Sequence, residues 1–285
     1  GLWDTKAGGA PGDSWFPHVY ETVQDPLQVY NTNAVGRWHY GPYFWPVFPA
    51  LYPLPTGAYG DATTTPEAWM DMVDGMRAIE LSLGLLVVEQ HQPSSVDRLH
   101  ALLDVHGGWL ADHAHRGRSN HALHQLQGLL LCGVARQRSD WVDQATAELA
   151  ALFEQEYDDE GVNREGAIAY HLNNYTWWRD AIERLALVNP ALPQAFGRLD
   201  LVPEELAHAT QPDGTFVSIG NSLGGSPVGV ASPHTQYVTT EGSKGEPPED
   251  LVRVYRAGYV FGRSGWGENE RDLVEETFYS LVFGS

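Results

Sequence analysis

Apolar residues along most of this chain recur every three or four positions, the spacing of helices that turn one face to a core. Trp69, Met72, Val73, Met76, Ile79 and Leu83 keep that spacing from about Thr65 to Glu89, and Pro66 suits a first helical turn. Pro93-Ser94-Ser95 closes this run and opens another, carried by Val96, Leu99, Leu102, Leu103, Val105 and Trp109 to about His113. A third begins at Ser119 or Asn120, either of which is suited to cap it, and carries Leu123, Leu126, Leu130 and Val134, with Leu129 and Leu131 widening the stripe. A fourth runs from about Trp141 to Gln155, with Asp140 as its expected cap. After the break at Asp158-Asp159-Glu160-Gly161, a fifth starts near Glu165 or Ala167 and carries Ile168, Leu172, Tyr175, Ile182 and Leu185. Tyr170 and Trp177 lie two turns apart on it and share a face. A short helix follows from Pro203 to about Ala209.

Two stretches break the pattern. Residues 210–249 are rich in Gly, Ser, Thr and Pro and read as loop. From Leu251 the period shortens to that of strands, at 252–255, 258–261 and 277–283. Two or three open strands are a poor stopping point, so a β domain cut short is expected. At the other end, residues 1–63 are irregular and aromatic, and Pro42, Pro46, Pro49, Pro53 and Pro55 forbid a long helix there. The expected organisation is an irregular segment at 1–63, helical hairpins at 64–249 and the start of a β-sheet domain at 250–285.

Composition narrows the partners. The chain has 285 residues, 42% of them hydrophobic, enough for a sizeable core. No run of about 18 apolar residues occurs, so no membrane span is expected. A lone cysteine, Cys132, excludes an internal disulfide. The formal net charge of −20 makes nucleic acid a poor partner. It also opposes long-range steering of any polyanion. Salt screens fields beyond about 8–10 Å, so a local basic patch around Arg116, Arg118, Arg164 and the histidines can still act. His106, His113, His115, His121 and His124 cluster in sequence, but their spacing suits no zinc chelate. No metal site is expected here.

The polar residues that open the helices carry the candidate chemistry. Asn120-His121 starts one apolar helix, an outer helix and an acidic-Gly hinge follow, and Tyr170-His171 sits inside the next. In that order the set resembles the toroid domain of the heparinase II/III-like polysaccharide lyases, whose members include heparinase III and the oligoalginate lyases. Gln211-Pro212-Asp213-Gly214-Thr215 resembles the polar turn after that family's last toroid helices. Arg256-Ala257-Gly258-Tyr259 resembles the entry to its β-sandwich. The resemblance covers residues 65–285 and implies a mainly α fold: an incomplete (α/α) toroid of helical hairpins, then the first strands of a truncated β-sandwich.

It also implies β-elimination on a uronic-acid glycan. Such an enzyme masks the C5 carboxylate, removes the C5 proton and protonates the leaving glycosidic oxygen. By resemblance, Asn120 masks the carboxylate with help from His121, and Tyr170 is the acid and base, with His171 beside it. A phenol needs a cationic neighbour to ionise near neutral pH, a part for which Arg118 or His171 is suited. Substrate contacts are expected from Arg118, Arg116, Arg164, His124, Tyr175 and Trp177. Trp38, His39 and Tyr43 are expected either as a cleft wall or as part of a strap packed on the helices. The family's remaining catalytic group and its structural zinc come from the β-sandwich, so no cofactor is expected in this chain and little or no activity from it alone. The implied partner is an acidic polysaccharide such as a glycosaminoglycan or alginate. A secreted or periplasmic location is expected, with the cytoplasm left open. Three other readings stand beside the lyase: a uronyl C5-epimerase, a glycoside hydrolase using Asp158, Asp159, Glu160 or Glu165, and a non-catalytic glycan-binding domain.

Overall fold

The computed structural model describes residue 69 and residues 72–91, 93–220, 222, 224–267 and 277–283. The aromatic segment at 1–63, with Trp38, His39 and Tyr43, lies outside them. The described residues form eight α-helices and one three-stranded antiparallel sheet, a mainly α fold. The chain divides into two compact units, one ending at Leu149 and the other starting at Ala150. None of the described helices is long and apolar enough to cross a membrane.

In the first unit, α1 (Val73–Leu83) and α2 (Leu85–His91) replace the single helix expected through Glu89. They meet at Gly84. The Ser95 N-cap precedes α3 (Val96–Ala111), and α4 spans Ser119–Arg136. α4 packs on both α1 and α3. Every residue from Ala122 to Leu130 is consequently buried, Gln125, Gln127 and His124 included. A helix enclosed all round must find partners for each polar side chain it carries. Two glycines let α1 and α4 touch backbone to backbone: a Cβ on Gly75 would lie 2.5 Å from the Gln125 Cα, and one on Gly128 2.7 Å from the Gly75 carbonyl oxygen.

Helix α5 (Ser139–Glu156) begins in the first unit and ends in the second. Its final turn puts Phe153 into an aromatic cluster with Tyr157, Trp178 and Phe196, at ring separations of 4.8, 5.0 and 5.1 Å. Trp178 lies on α6 (Ile168–Val188). Phe196 lies on the 3-10 segment Gln194–Leu201, which runs directly into α7 (Val202–His208). The expected loop at 210–249 contains one helix, α8 (Pro233–Thr239), started by the Ser232 hydroxyl and Pro233.

The sheet joins β1 (Val252–Tyr255), β2 (Tyr259–Arg263) and β3 (Phe278–Val282) in that order. The register aligns Val252 with Gly262 and Tyr279, and Val254 with Val260 and Leu281. One face buries Tyr255, Tyr259 and Phe261. On the other, Val252, Val254, Tyr279 and Leu281 are exposed.

Candidate functional site

The first group of candidate residues stands at the start of α4. Neither expected cap is the cap: Arg118 holds that position in extended conformation and lends no side chain to it. Ser119 is already helical at a positive φ of 49°, a conformation a non-glycine residue adopts only when its surroundings force it. The force comes from the loop in front. Asp112 accepts the Ala114 N–H at 2.9 Å and closes a 3-10 turn over His113–His115. The His115 ring stacks on Trp109 at 3.3 Å, and its Nδ1 lies 3.0 Å from the Trp109 carbonyl, to which it must donate. Arg116 donates to the Leu110 carbonyl at 2.8 Å and pairs with Glu148 at 3.1 Å.

Gln125 ties this loop to the core. Its Oε1 accepts the Gly117 N–H at 2.7 Å, while its Nε2 donates to the His115 carbonyl at 3.0 Å and to the Asp74 carboxylate at 3.2 Å. Asp74, fully buried, also accepts from Trp109 Nε1 at 2.8 Å and from the Gly75 N–H. Burial pushes its carboxyl above the usual carboxylate range, and the bond from Trp109 and the nearby Arg77 charge pull it back. Arg77 Nε donates to His106 Nε2 at 2.7 Å, and His106 Nδ1 lies 2.7 Å from the Leu102 carbonyl. Since the carbonyl only accepts, Nδ1 carries the proton and His106 is neutral. Burial and the Arg77 charge hold it well below its ordinary value. Ahead of this anchored loop, Asn120 and His121 are half-buried and His124 is buried one turn further in. Among the described residues the Asn120 carboxamide has no hydrogen-bond partner, and Arg118, exposed beside it, has no ion pair.

The second group stands at the start of α6, in the other unit. Asp158 Oδ1 accepts the Glu160 and Val162 N–H groups at 2.9 Å and folds the acidic hinge into a turn. Gly161 allows this with φ +77°, where a Cβ would meet Leu201 at 2.7 Å. Ala167 gives α6 no side-chain cap, and Ser222 Oγ instead accepts the Ala169 N–H at 3.0 Å. Tyr170 and Trp177 are half-buried, consistent with one shared face, whereas Tyr175 is buried under Arg179. The Tyr170 hydroxyl has no hydrogen-bond partner among the described residues.

His171 faces the other way. Its Nδ1 lies 3.2 Å from Glu205 Oε2, and both side chains are buried. Burial pushes Glu205 up to about 8 and His171 down to about 3. Near neutral pH the two are therefore an uncharged close pair rather than a salt bridge, and the Glu205 carboxyl makes no hydrogen bond among the described residues. His171 does not supply the cationic neighbour expected for Tyr170. Glu205 escaped the sequence reading, and only its place on the inner face of a short helix could have marked it.

Arg164 lies on a cleft of about 560 Å³ in the second unit, whose walls include Tyr157, Asn163, Arg198, Arg256 and Tyr259. The acidic hinge is engaged there: Asp159 pairs with Arg198 at 2.7 Å, and Glu160 with Arg256 at 3.3 Å.

No family model matches the sequence, and no curated protein is similar to it. Solved structures do match. A mutant of the heparan sulfate lyase HepC from Pedobacter heparinus superposes with a TM-score of 0.61 at 18% identity, over 94% of this chain and 44% of that one. A heparinase III structure gives 0.55 at 16% identity over 90% and 45%. The heparinase III product BT4657, with methylated lysines, gives 0.56 at 14% over 81% and 41%. At these identities the likeness is one of fold, the helical toroid type followed by a sheet. The chain spans less than half the length of these neighbours.

Proposed function

We propose that the chain forms the helical part of a polysaccharide lyase that cleaves uronic-acid glycans by β-elimination. The observation that carries this reading is the pair of helix mouths. Each is anchored by buried polar contacts and each leaves one half-buried polar side chain, Asn120 or Tyr170, without a partner among the described residues. A neutral amide suits the masking of a carboxylate on which charge builds. A phenol suits removal of the C5 proton and its delivery to the glycosidic oxygen. In that step the C5–H and C4–O bonds break, a C4–C5 double bond forms, and the proton leaves with the released sugar. His121 assists the masking and Arg118 meets the substrate. Arg116, already committed to Glu148, serves the loop. His171 and Glu205 position α6 from behind rather than touching sugar. The neighbouring structures are of heparan sulfate lyases and heparinases, which fits an acidic glycan.

The hydrolase reading loses its carboxylates to the hinge, where Asp158, Asp159 and Glu160 all hold protein partners. The test uses a form extended beyond Ser285, with heparan sulfate, alginate and hyaluronan as substrates. Ultraviolet absorbance of an unsaturated uronate should appear. Asn120→Ala and Tyr170→Phe should each lower kcat by about 10²–10⁴-fold with the circular dichroism unchanged. Full activity in Tyr170→Phe would sink the assignment. A C5-inverted product of unchanged length would mean an epimerase, and binding without turnover a glycan-binding domain. The 285-residue chain alone should show little or no turnover.

A further inference from the structure

Tyr170 stands between two tethered residues on α6. On one side, the Ala169 N–H donates at 3.0 Å to the hydroxyl of Ser222, 53 residues further along the chain. On the other, the His171 side chain lies 3.2 Å from Glu205, and the His171 N–H closes the first helical turn on the Ala167 carbonyl at 2.9 Å. Glu205 and Ser222 belong to one stretch of chain, α7 and the loop after it. Tyr170 itself is half-buried, and its hydroxyl has no hydrogen-bond partner among the described residues. Its chain neighbours therefore place the phenol.

The first N–H groups of a helix have no partner within it. A Ser, Thr, Asp or Asn directly before the helix commonly takes one of them. Before α6 that position is Ala167, which has no such side chain. Ser222 takes the part from a distance, and the loop is built to bring it there. Gly220, at φ +64°, passes so close that a Cβ on it would lie 2.4 Å from the Gly166 carbonyl oxygen and 3.0 Å from the Ala167 Cβ. The Ser222 N–H turns back to the Ile219 carbonyl at 3.3 Å. The Phe216 N–H donates to the Gly225 carbonyl at 2.8 Å and the Val217 N–H to the Ala209 carbonyl at 2.9 Å, which closes the base of the loop and ties it to the end of α7. Phe216, Ile219 and Ser222 are all buried.

We infer that Ser222 is a positioning residue for Tyr170: its hydroxyl, pressed onto α6 by the Gly220 contact, fixes the first helical turn and with it the place of the phenol. The inference rests on the lyase reading and deepens it, because proton transfer at C5 tolerates little misplacement. A shift of about 1 Å in a reacting group can cost about 10²-fold in rate.

The experiment reads one amide and one rate. In the 285-residue chain, Ser222→Ala should speed hydrogen exchange at the Ala169 N–H by about 3- to 30-fold, the loss of one capping bond, with the circular dichroism unchanged. In the form extended beyond Ser285, with heparan sulfate, alginate and hyaluronan as substrates, the same variant should lower kcat by about 10- to 100-fold and leave KM unchanged. Ser222→Thr keeps the hydroxyl and should recover part of the loss. Gly220→Ala also keeps it but forces the loop off Gly166, and should lower kcat in the same way. Placed on Tyr170→Phe, Ser222→Ala should lower kcat no further, because the group it positions is gone. A Ser222 with a merely structural role would lower kcat by the same factor in both backgrounds. That result, or an unchanged kcat in Ser222→Ala, overturns the positioning role while turnover by the parent form upholds the lyase reading. An unaltered exchange rate at Ala169 overturns it as well. If the extended parent form releases no unsaturated uronate, the lyase reading falls and the positioning role falls with it.

Discussion

Replacing Glu205 by Gln should change how the stability of the chain depends on pH, in a direction fixed by the His171–Glu205 pair. Glu205 is raised from 4.5 to about 8, so between those values the unfolded chain has lost a proton that the folded chain keeps. Stability from this group is complete below pH 4.5 and declines as pH rises to 8. His171 is lowered from 6.5 to about 3, so the unfolded chain gains a proton that the folded chain refuses. Its contribution is complete above pH 6.5 and declines as pH falls to 3. Each slope is about 1.4 kcal/mol per pH unit. From 4.5 to 6.5 the two slopes cancel. Outside that plateau one acts alone, over roughly one and a half units on either side, which amounts to about 2 kcal/mol per flank.

Glu205→Gln keeps the shape of the side chain beside His171 but cannot ionise. The variant should lose the upper flank and hold its stability from pH 6.5 to 8, where the parent chain falls by about 2 kcal/mol. Urea unfolding read by tryptophan fluorescence, at several pH values across this window, measures both. The difference between the two proteins isolates position 205, because every other ionisable group is common to both. Parallel profiles from pH 6.5 to 8 would mean that Glu205 is ionised in the folded chain, and the description of an uncharged pair would be wrong.

Asp74→Ala removes the acceptor shared by Trp109 Nε1, Gln125 Nε2 and the Gly75 N–H. It should cost about 1–3 kcal/mol for each donor left buried and should speed amide exchange at Gly117, while an unaltered Gly117 rate would detach the loop from this hub. Val254→Lys with Leu281→Lys, on the exposed sheet face, should lower binding of a hydrophobic dye. The urea midpoint should move by no more than about 0.5 kcal/mol equivalent, and a large loss of stability would show that this face is covered.

The helical period exposed most of the fold because α3, α5 and α6 each bury one continuous stripe, which is what periodicity reports, and α4, though buried all round, carries an apolar stripe within it. The strands were found for the same reason, with ends correct to within two residues. The misplaced features have local causes. Gly84 interrupts a stripe that stays apolar across it, so α1 and α2 looked like one helix. Arg118 caps α4 through its backbone, and cap preferences describe side chains. α8 is only seven residues long, and its Ser-Pro start resembles a turn. In the candidate site the surface members stood out as polar residues at helix starts. Their supports did not. Gln125 and Glu205 look like ordinary helix residues in sequence, and only burial on both sides gives them their roles.

Those supports explain why the candidate residues are left open. A half-buried Asn or Tyr at a helix mouth normally finds a partner nearby, because Asn, Asp and Ser side chains readily bond their own backbone. In both units another group has already met that need. Gln125 and Asp74 satisfy the loop before α4. Ser222 takes the first-turn N–H of α6. His171 turns inward to Glu205 and leaves the outward position to Tyr170. A fold that simply filled its helix ends would use Asn120 as the cap and set Tyr170 against a carbonyl. This one spends five buried polar side chains, Gln125, Asp74, Ser222, His171 and Glu205, each costly to desolvate, and among the described residues the half-buried amide and phenol remain without partners. That outlay leaves both groups available to a ligand, as the lyase reading requires.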